Sequence, residues 1–148
     1  MVSKRSQAGV TMMELLIVVT IVSIIAAIAY PSYTQFVVKS KRAAGSSTML
    51  QIADRQQQYF MDNKQYATKL SSLGYSSESI MINDEGALVD TGDSRVTYSI
   101  ALDDATTTSY TLVATPQKGQ ADNDTGCGSL TLTNAGAKGQ TGTGNNCW

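Results

Sequence analysis

One carboxylate, Glu14, stands at the head of an apolar run, Leu15 to Tyr30, that carries no other charge. An ionised carboxylate at the centre of a membrane helix costs about 2.5–3.5 kcal/mol on insertion scales, less near an end, and such residues are usually functional. A subunit that packs its helix against identical helices has a use for it, because a free α-amino group on a neighbour supplies the missing positive charge. Other chemistry has few candidates. Histidine is absent and there are two cysteines, which removes the commonest general base and most transition-metal sites. The Asp residues show no paired spacing and no nucleophile–base pair is available, so neither enzymatic activity nor a cofactor is expected.

Glu14 has to be positioned by the segment around it. Val10 to Tyr30 is 21 residues, about 30 Å as a helix and therefore long enough to cross a bilayer. Lys4 and Arg5 precede it without a compensating acid, which places the N-terminus on the cytoplasmic side and the rest of the chain across the membrane. A cleaved signal, a permanent anchor and a buried core helix all compete for such a run. Ala27-Ile28-Ala29 is an A-x-A pattern that favours the signal, and Glu14 stands against it, since neither a simple signal nor an anchor gains anything from an acid. Pro31 removes a backbone donor and predicts a bend.

The stretch Gly9-Val10-Thr11-Met12-Met13-Glu14-Leu15-Leu16, with its basic leader, the apolar run behind it and Pro31, resembles the prepilin cleavage motif of type IV pilins and pseudopilins. The resemblance implies a leader, residues 1–9, cut between Gly9 and Val10 by a prepilin peptidase, with methylation of the new amine on Val10. It assigns Glu14 to assembly and Pro31 to a helix kink. The chain departs from the family at Val10, where Phe is most frequent. Residues 10–30 then form a transmembrane helix that becomes filament core, and Ser23, Ala26, Ala27 and Ala29 are small enough for close helix approach.

Residues 31–148 continue the helix into a periplasmic globular domain. Met49, Ile52, Ala53, Tyr59 and Phe60 fall on one helical face, and the helix is expected to end near Asp62 or Asn63. Lys39, Lys41 and Arg42 form a small basic cluster, read as a solvated face. The segment from Arg55 to Gly74 resembles PilE-type minor pilins. Tyr59, Tyr66 and Tyr75 are read as core aromatics beside a small sheet. Ser76 to Ser94 has loop composition with a short strand around Ala87 to Val89. Strands are expected over Arg95 to Leu102, Ser109 to Thr115 and Ser129 to Thr133.

With Cys127 and Cys147 near the end of an exported chain, a disulfide is expected. Closing it is worth about 3 kcal/mol by the chain-entropy estimate, and it pins the glycine-rich stretch between. Asp122-Asn123-Asp124-Thr125-Gly126 opens like a calcium loop, but Thr133 stands where a closing Glu belongs, which favours a plain Asx turn and no metal. The fold expected is α+β: a long N-terminal helix, its apolar half protruding and kinked near Pro31, packed on a small antiparallel sheet with a disulfide-bounded C-terminal loop.

The function implied is a structural subunit, a minor pilin of a type IV pilus serving twitching motility, adhesion or DNA uptake. Its implied places are the inner membrane and then the extracellular filament. Its implied partners are other pilin subunits, the prepilin peptidase and the pilus assembly machinery. A competence pilin that binds DNA and a type II secretion pseudopilin are the alternatives. Cys127-Gly128-Ser129-Leu130-Thr131-Leu132 and Cys147-Trp148 resemble minor pilins that include DNA-binding members. From Ser46 onward, however, six basic residues are scattered among eleven acids, the opposite of a general nucleic-acid surface.

Overall fold

The computed structural model describes residues 9–148, so Lys4, Arg5 and the leader proper lie outside the described residues. Helix α1 (Met12–Asn63) is 52 residues long and passes through Pro31. Thr11 starts it by accepting the Glu14 N–H on its hydroxyl at 3.2 Å, an N-cap bond. Lys64 stops it in a left-handed conformation at φ 57°, and its ammonium donates to the Met61 carbonyl at 2.8 Å, where a cation complements the C-terminal dipole. The expected end near Asn63 is where the helix stops.

The chain divides into two units, one ending at Phe36 and the other Val37–Trp148. The first, as described, is residues 9–36, all solvent-exposed. The second holds the core. Gly45, Thr48, Met49, Ile52 and Gln56 are the buried positions of α1, a stripe at three- and four-residue spacing. A Cβ on Gly45 would come within 3.2 Å of the Tyr98 ring, so glycine lets the helix approach the sheet there. Gln56 clamps the chain after the helix, donating to the Ala67 carbonyl at 2.8 Å and accepting its N–H at 2.9 Å. The face read from the sequence holds in part: Met49 and Ile52 are fully buried, and Ala53 and Tyr59 pack against the core.

A short 3-10 helix, Leu70–Leu73, follows. Six strands then form one sheet: β1 (Ser79–Ile82), β2 (Leu88–Val89), β3 (Tyr98–Asp103), β4 (Thr111–Pro116), β5 (Leu130–Thr133) and β6 (Lys138–Gln140). Their order is β2-β1-β3-β4-β5-β6, and every neighbouring pair is antiparallel. Register places Ile80 opposite Ile100, Ile82 opposite Tyr98, Ala114 opposite Leu130 and Leu112 opposite Leu132. These eight side chains are all buried, so the period-two pattern sets one face against α1. Tyr66, Tyr75 and Tyr59 pack on this core as half-buried aromatics, in agreement with the core assignment.

Three elements differ from expectation. The Ser76 to Ser94 stretch contains strand β1 besides β2, because Asn83 builds a hairpin turn, accepting the N–H groups of Glu85 and Ala87 on its side-chain oxygen at 3.0 and 2.9 Å. A short helix α2 (Lys118–Asn123) sits between β4 and β5. The glycine-rich stretch after β5 holds itself better than expected, since β6 returns along β5 and Gly142 and Gly144 donate to Cys127 and Gly126. Gly142 lies so close that a Cβ there would be 2.1 Å from the Gly126 carbonyl oxygen. The Cys127–Cys147 disulfide is formed, with Cα atoms 5.6 Å apart.

Burial pushes the Tyr110 phenol up to about 12 from its ordinary 10 and raises Tyr98 as well. A raised folded-state value favours the neutral phenol, so this stabilisation is complete below pH 10 and is lost as pH rises through about 12. The urea midpoint of the unit 37–148 is therefore expected to hold steady up to pH 10 and fall above it. A midpoint indifferent to pH between 10 and 12 contradicts this.

Candidate assembly interface

Between Gly9 and Phe36 every side chain is exposed. An 18-residue window of α1 near the N-terminus reaches a mean hydropathy of 2.6 with none of it buried in the chain, so the helix is long and apolar enough to cross a membrane. An uncovered apolar surface of this extent marks an interaction site. Its polar side chains are mostly disposed of locally. Thr20 and Ser23 donate to the carbonyls of Leu16 and Val19 at 2.8 and 2.7 Å, and Ser32 and Thr34 donate to Ile28 and Pro31. Such back-bonding keeps hydroxyls from being orphaned in an apolar medium.

Glu14, like Tyr30, Tyr33 and Gln35, is not disposed of in this way, and it alone carries a charge. Its N–H is capped by Thr11, but its carboxylate has no hydrogen-bond partner among the described residues. Thr11 and Glu14 stand in the S/T-x-x-E spacing of a capping box, a signal present in the sequence that its functional assignment left aside. Two effects can be weighed. A carboxylate in the first turn gains about 0.3–1 kcal/mol from the helix dipole, well below the roughly 2.5–3.5 kcal/mol of a carboxylate deep in hydrocarbon.

The Gly9–Val10 bond precedes α1, and both residues are exposed. Pro31 lies within α1, where its nitrogen has no hydrogen for the carbonyl of Ala27.

A second constellation, unread in the sequence, lies in the unit 37–148. Arg42 donates to Asp124 through Nε at 2.9 Å and through a second guanidinium nitrogen. Tyr98 donates its hydroxyl to the same carboxylate at 3.0 Å. The Gln120 amide nitrogen reaches Asp124, the Tyr98 hydroxyl and the Val38 carbonyl at 3.0–3.1 Å. The Asp124 side chain is 1% exposed and that of Arg42 12%. Hydrogen bonding to Asp124 raises the Arg42 guanidinium above its ordinary value.

These contacts correct two expectations. The basic cluster at 39–42 is not wholly solvated, because Arg42 turns inward to a buried acid. The Asp124 side chain makes no Asx turn, because it serves Arg42, Tyr98 and Gln120. The residues sit 82 positions apart, and only their charges were visible beforehand.

Removing one member of a buried ion pair leaves an uncompensated charge and costs about 3–5 kcal/mol, whereas replacing the pair together costs much less. Arg42→Met is expected to lose stability of that order in urea unfolding of the unit 37–148. Arg42→Met with Asp124→Leu should recover part of it. Equal losses in the two proteins contradict the pairing.

Comparison with known proteins identifies the family. The family model described as type IV minor pilin ComP, DNA uptake sequence receptor, matches residues 31–131. The prokaryotic N-terminal methylation motif matches residues 4–30. The type IV major pilin protein PilA of Myxococcus xanthus (strain DK1622) is 31% identical over 70 residues, 47% of this chain and 32% of that protein. The match thus spans about a third of the relative's length. A type IV pilin structure from Shewanella oneidensis aligns with a TM-score of 0.49 at 19% identity, over 75% of this chain and 97% of that one. The chain belongs to the type IV minor pilins of the ComP family.

Proposed function

We propose that the chain is a structural subunit of a type IV pilus whose mechanism is assembly through residues 10–36, with no catalytic step. The observation that carries this is the uncovered apolar helix in which Glu14 is the one charge between Gly9 and Val38. Cleavage after Gly9 by a prepilin peptidase frees the amine of Val10. The subunit waits in the inner membrane as a single-pass protein with residues 31–148 in the periplasm. It then enters the filament when Glu14 pairs with the Val10 amine of an adjacent subunit. The pair fixes helix register, because a charge in an apolar surrounding tolerates few other positions.

A second reading, reception of DNA during uptake, draws on the description of the matching family. Lys41 and Lys118 line one cleft and have no ion pair among the described residues, which favours this reading, while the arginines favour it less. Arg42 and Arg95 are both in ion pairs, and Arg55 is occupied by the Leu73 carbonyl and the Tyr75 ring. DNA affinity draws on cations free to meet phosphates.

Glu14→Val is expected to leave the membrane-held level of the chain unchanged and to lower its copies in sheared filaments at least tenfold, the factor of a loss of about 1.4 kcal/mol. Intact mass of the mature chain should begin at Val10 with one added methyl group. Undiminished incorporation contradicts the assembly mechanism, and a chain beginning at Tyr30 contradicts the processing.

A further inference from the structure

Four charged side chains from separate parts of the unit 37–148 line one cleft of about 290 Å³. Lys41 comes from α1, Asp84 from the turn between β1 and β2, Arg95 from the approach to β3, and Lys118 from the first turn of α2. Lys41 is half-buried and the other three are exposed. The backbone behind them is held in place. Asn83 fixes the turn by accepting the N–H groups of Glu85 and Ala87, and the Asp93 carboxylate accepts the Arg95 N–H at 2.8 Å. Lys118 sits at φ 51°, a left-handed backbone that residues other than glycine seldom adopt.

The cleft is mixed in sign. Arg95 is already committed, its guanidinium meeting the Asp93 carboxylate at 3.2 and 2.8 Å. That bond is the main cause of its raised value, with smaller contributions from the charges of Asp84 and Glu85. Lys118 donates to a neutral group, the Asp93 carbonyl. The Asp93 carboxyl is lowered to about 2, chiefly by its bonds to Arg95 and least by the charge of Lys118. None of Lys41, Lys118 and Asp84 has an ion pair among the described residues. Two ammonium groups and one carboxylate therefore line the same space without an ionic partner. Gln120 lines it too, and its buried side-chain oxygen has no hydrogen-bond partner among the described residues, an unused acceptor.

A lone anion at the lysines leaves Asp84 unused, and a polyanion brings further phosphates toward Asp84 and Asp93, which repel them. A small ligand with one anionic and one ammonium group matches both signs. The free cations are lysines, compact point charges that suit a tetrahedral phosphate, whereas the guanidinium fork that pairs with a planar carboxylate is taken by Asp93. The volume lies at the lower end of ligand pockets, about 300–1,000 Å³, which fits a group of headgroup size. We propose that this cleft binds a zwitterionic phosphate ester of the phosphoethanolamine type, its phosphate at Lys41 and Lys118 and its ammonium at Asp84. A phospholipid headgroup and a soluble or glycan-borne ester both present this chemistry. The inference is independent of the assembly reading, since no residue before Val37 takes part.

The experiment titrates the full chain in a nonionic detergent with glycerophosphoethanolamine, inorganic phosphate and a short DNA duplex, read by calorimetry. Glycerophosphoethanolamine is expected to bind more tightly than phosphate. Lys41→Gln with Lys118→Asn, the latter a residue that tolerates a left-handed backbone, should lower both affinities at least about tenfold. Asp84→Asn should lower the affinity for glycerophosphoethanolamine at least about threefold and leave that for phosphate unchanged or higher. A second measurement needs no variant: the ester should slow acylation of Lys41 and Lys118, read by mass spectrometry, at least about threefold and leave Lys39, Lys64 and Lys138 unaffected. Flotation of sheared filaments with vesicles of phosphatidylethanolamine and phosphatidylcholine, but not of phosphatidylcholine alone, identifies a lipid source. Binding of the soluble ester without flotation identifies a soluble or glycan-borne one.

Absence of both heat and slowed acylation at about 10 mM ester overturns the proposal. So does an Asp84→Asn chain in which both affinities move in the same direction by the same factor, which leaves a site for anions alone. A DNA duplex that binds more tightly than the ester through the same two lysines, and displaces it, overturns the proposal as well and assigns the cleft to nucleic acid.

Discussion

The first constraint on this molecule is an apolar helical surface, residues 9–36, that the described residues do not cover. Burying one Leu, Ile or Val is worth about 1.5–3 kcal/mol, and Leu15, Leu16, Ile17, Val18, Val19, Ile21, Val22, Ile24 and Ile25 are all at least half-exposed. Water is not a tolerable environment for such a surface. Lipid covers the apolar atoms and leaves the Glu14 carboxylate without a partner. A bundle of identical helices covers the atoms and brings a free amine to the carboxylate. In the assembly proposed above, the difference between those two environments at Glu14 favours leaving the bilayer.

The unit 37–148 meets a different constraint, a small core. Its share of α1 offers only five buried positions, of which Gly45, Thr48 and Gln56 contribute little apolar area. The remainder is held by directed contacts. Arg42 is tied to Asp124, Gln56 clamps Ala67, and the disulfide closes the last strands. The same helix is thus exposed and apolar before Val37 and partly buried in the core after it. The sheet edges are the two-residue β2 and three-residue β6, short enough to discourage uncontrolled strand pairing. Association is left to side-chain surfaces.

How much of this the sequence revealed follows from the range of the interactions involved. The apolar run, Glu14, the helix end and the strands around Tyr98, Leu112 and Leu130 are local patterns, and they are legible. Strand β1 was hidden because Ile80 and Ile82 are flanked by serines and an Asn-Asp-Glu-Gly turn, a composition that reads as loop. Strand β6, Lys138-Gly139-Gln140, is paired through its backbone and carries no β pattern. Helix α2 is one and a half turns without an apolar face. The burial of Gln56 and Arg42 depends on partners 11 and 82 residues away, which no periodicity encodes. The capping pair Thr11 and Glu14 is a local spacing and is legible too.

Assembly as proposed requires residues 10–36 to exchange lipid for protein neighbours. A photo-crosslinking residue at Ile21, 51% exposed, reports which of the two surrounds it. Lipid adducts are expected in the membrane-held chain and adducts to the helices of other subunits in sheared filaments, with lipid adducts lost there. Lipid adducts persisting undiminished in the filament, or subunit adducts equally abundant before assembly, would contradict it.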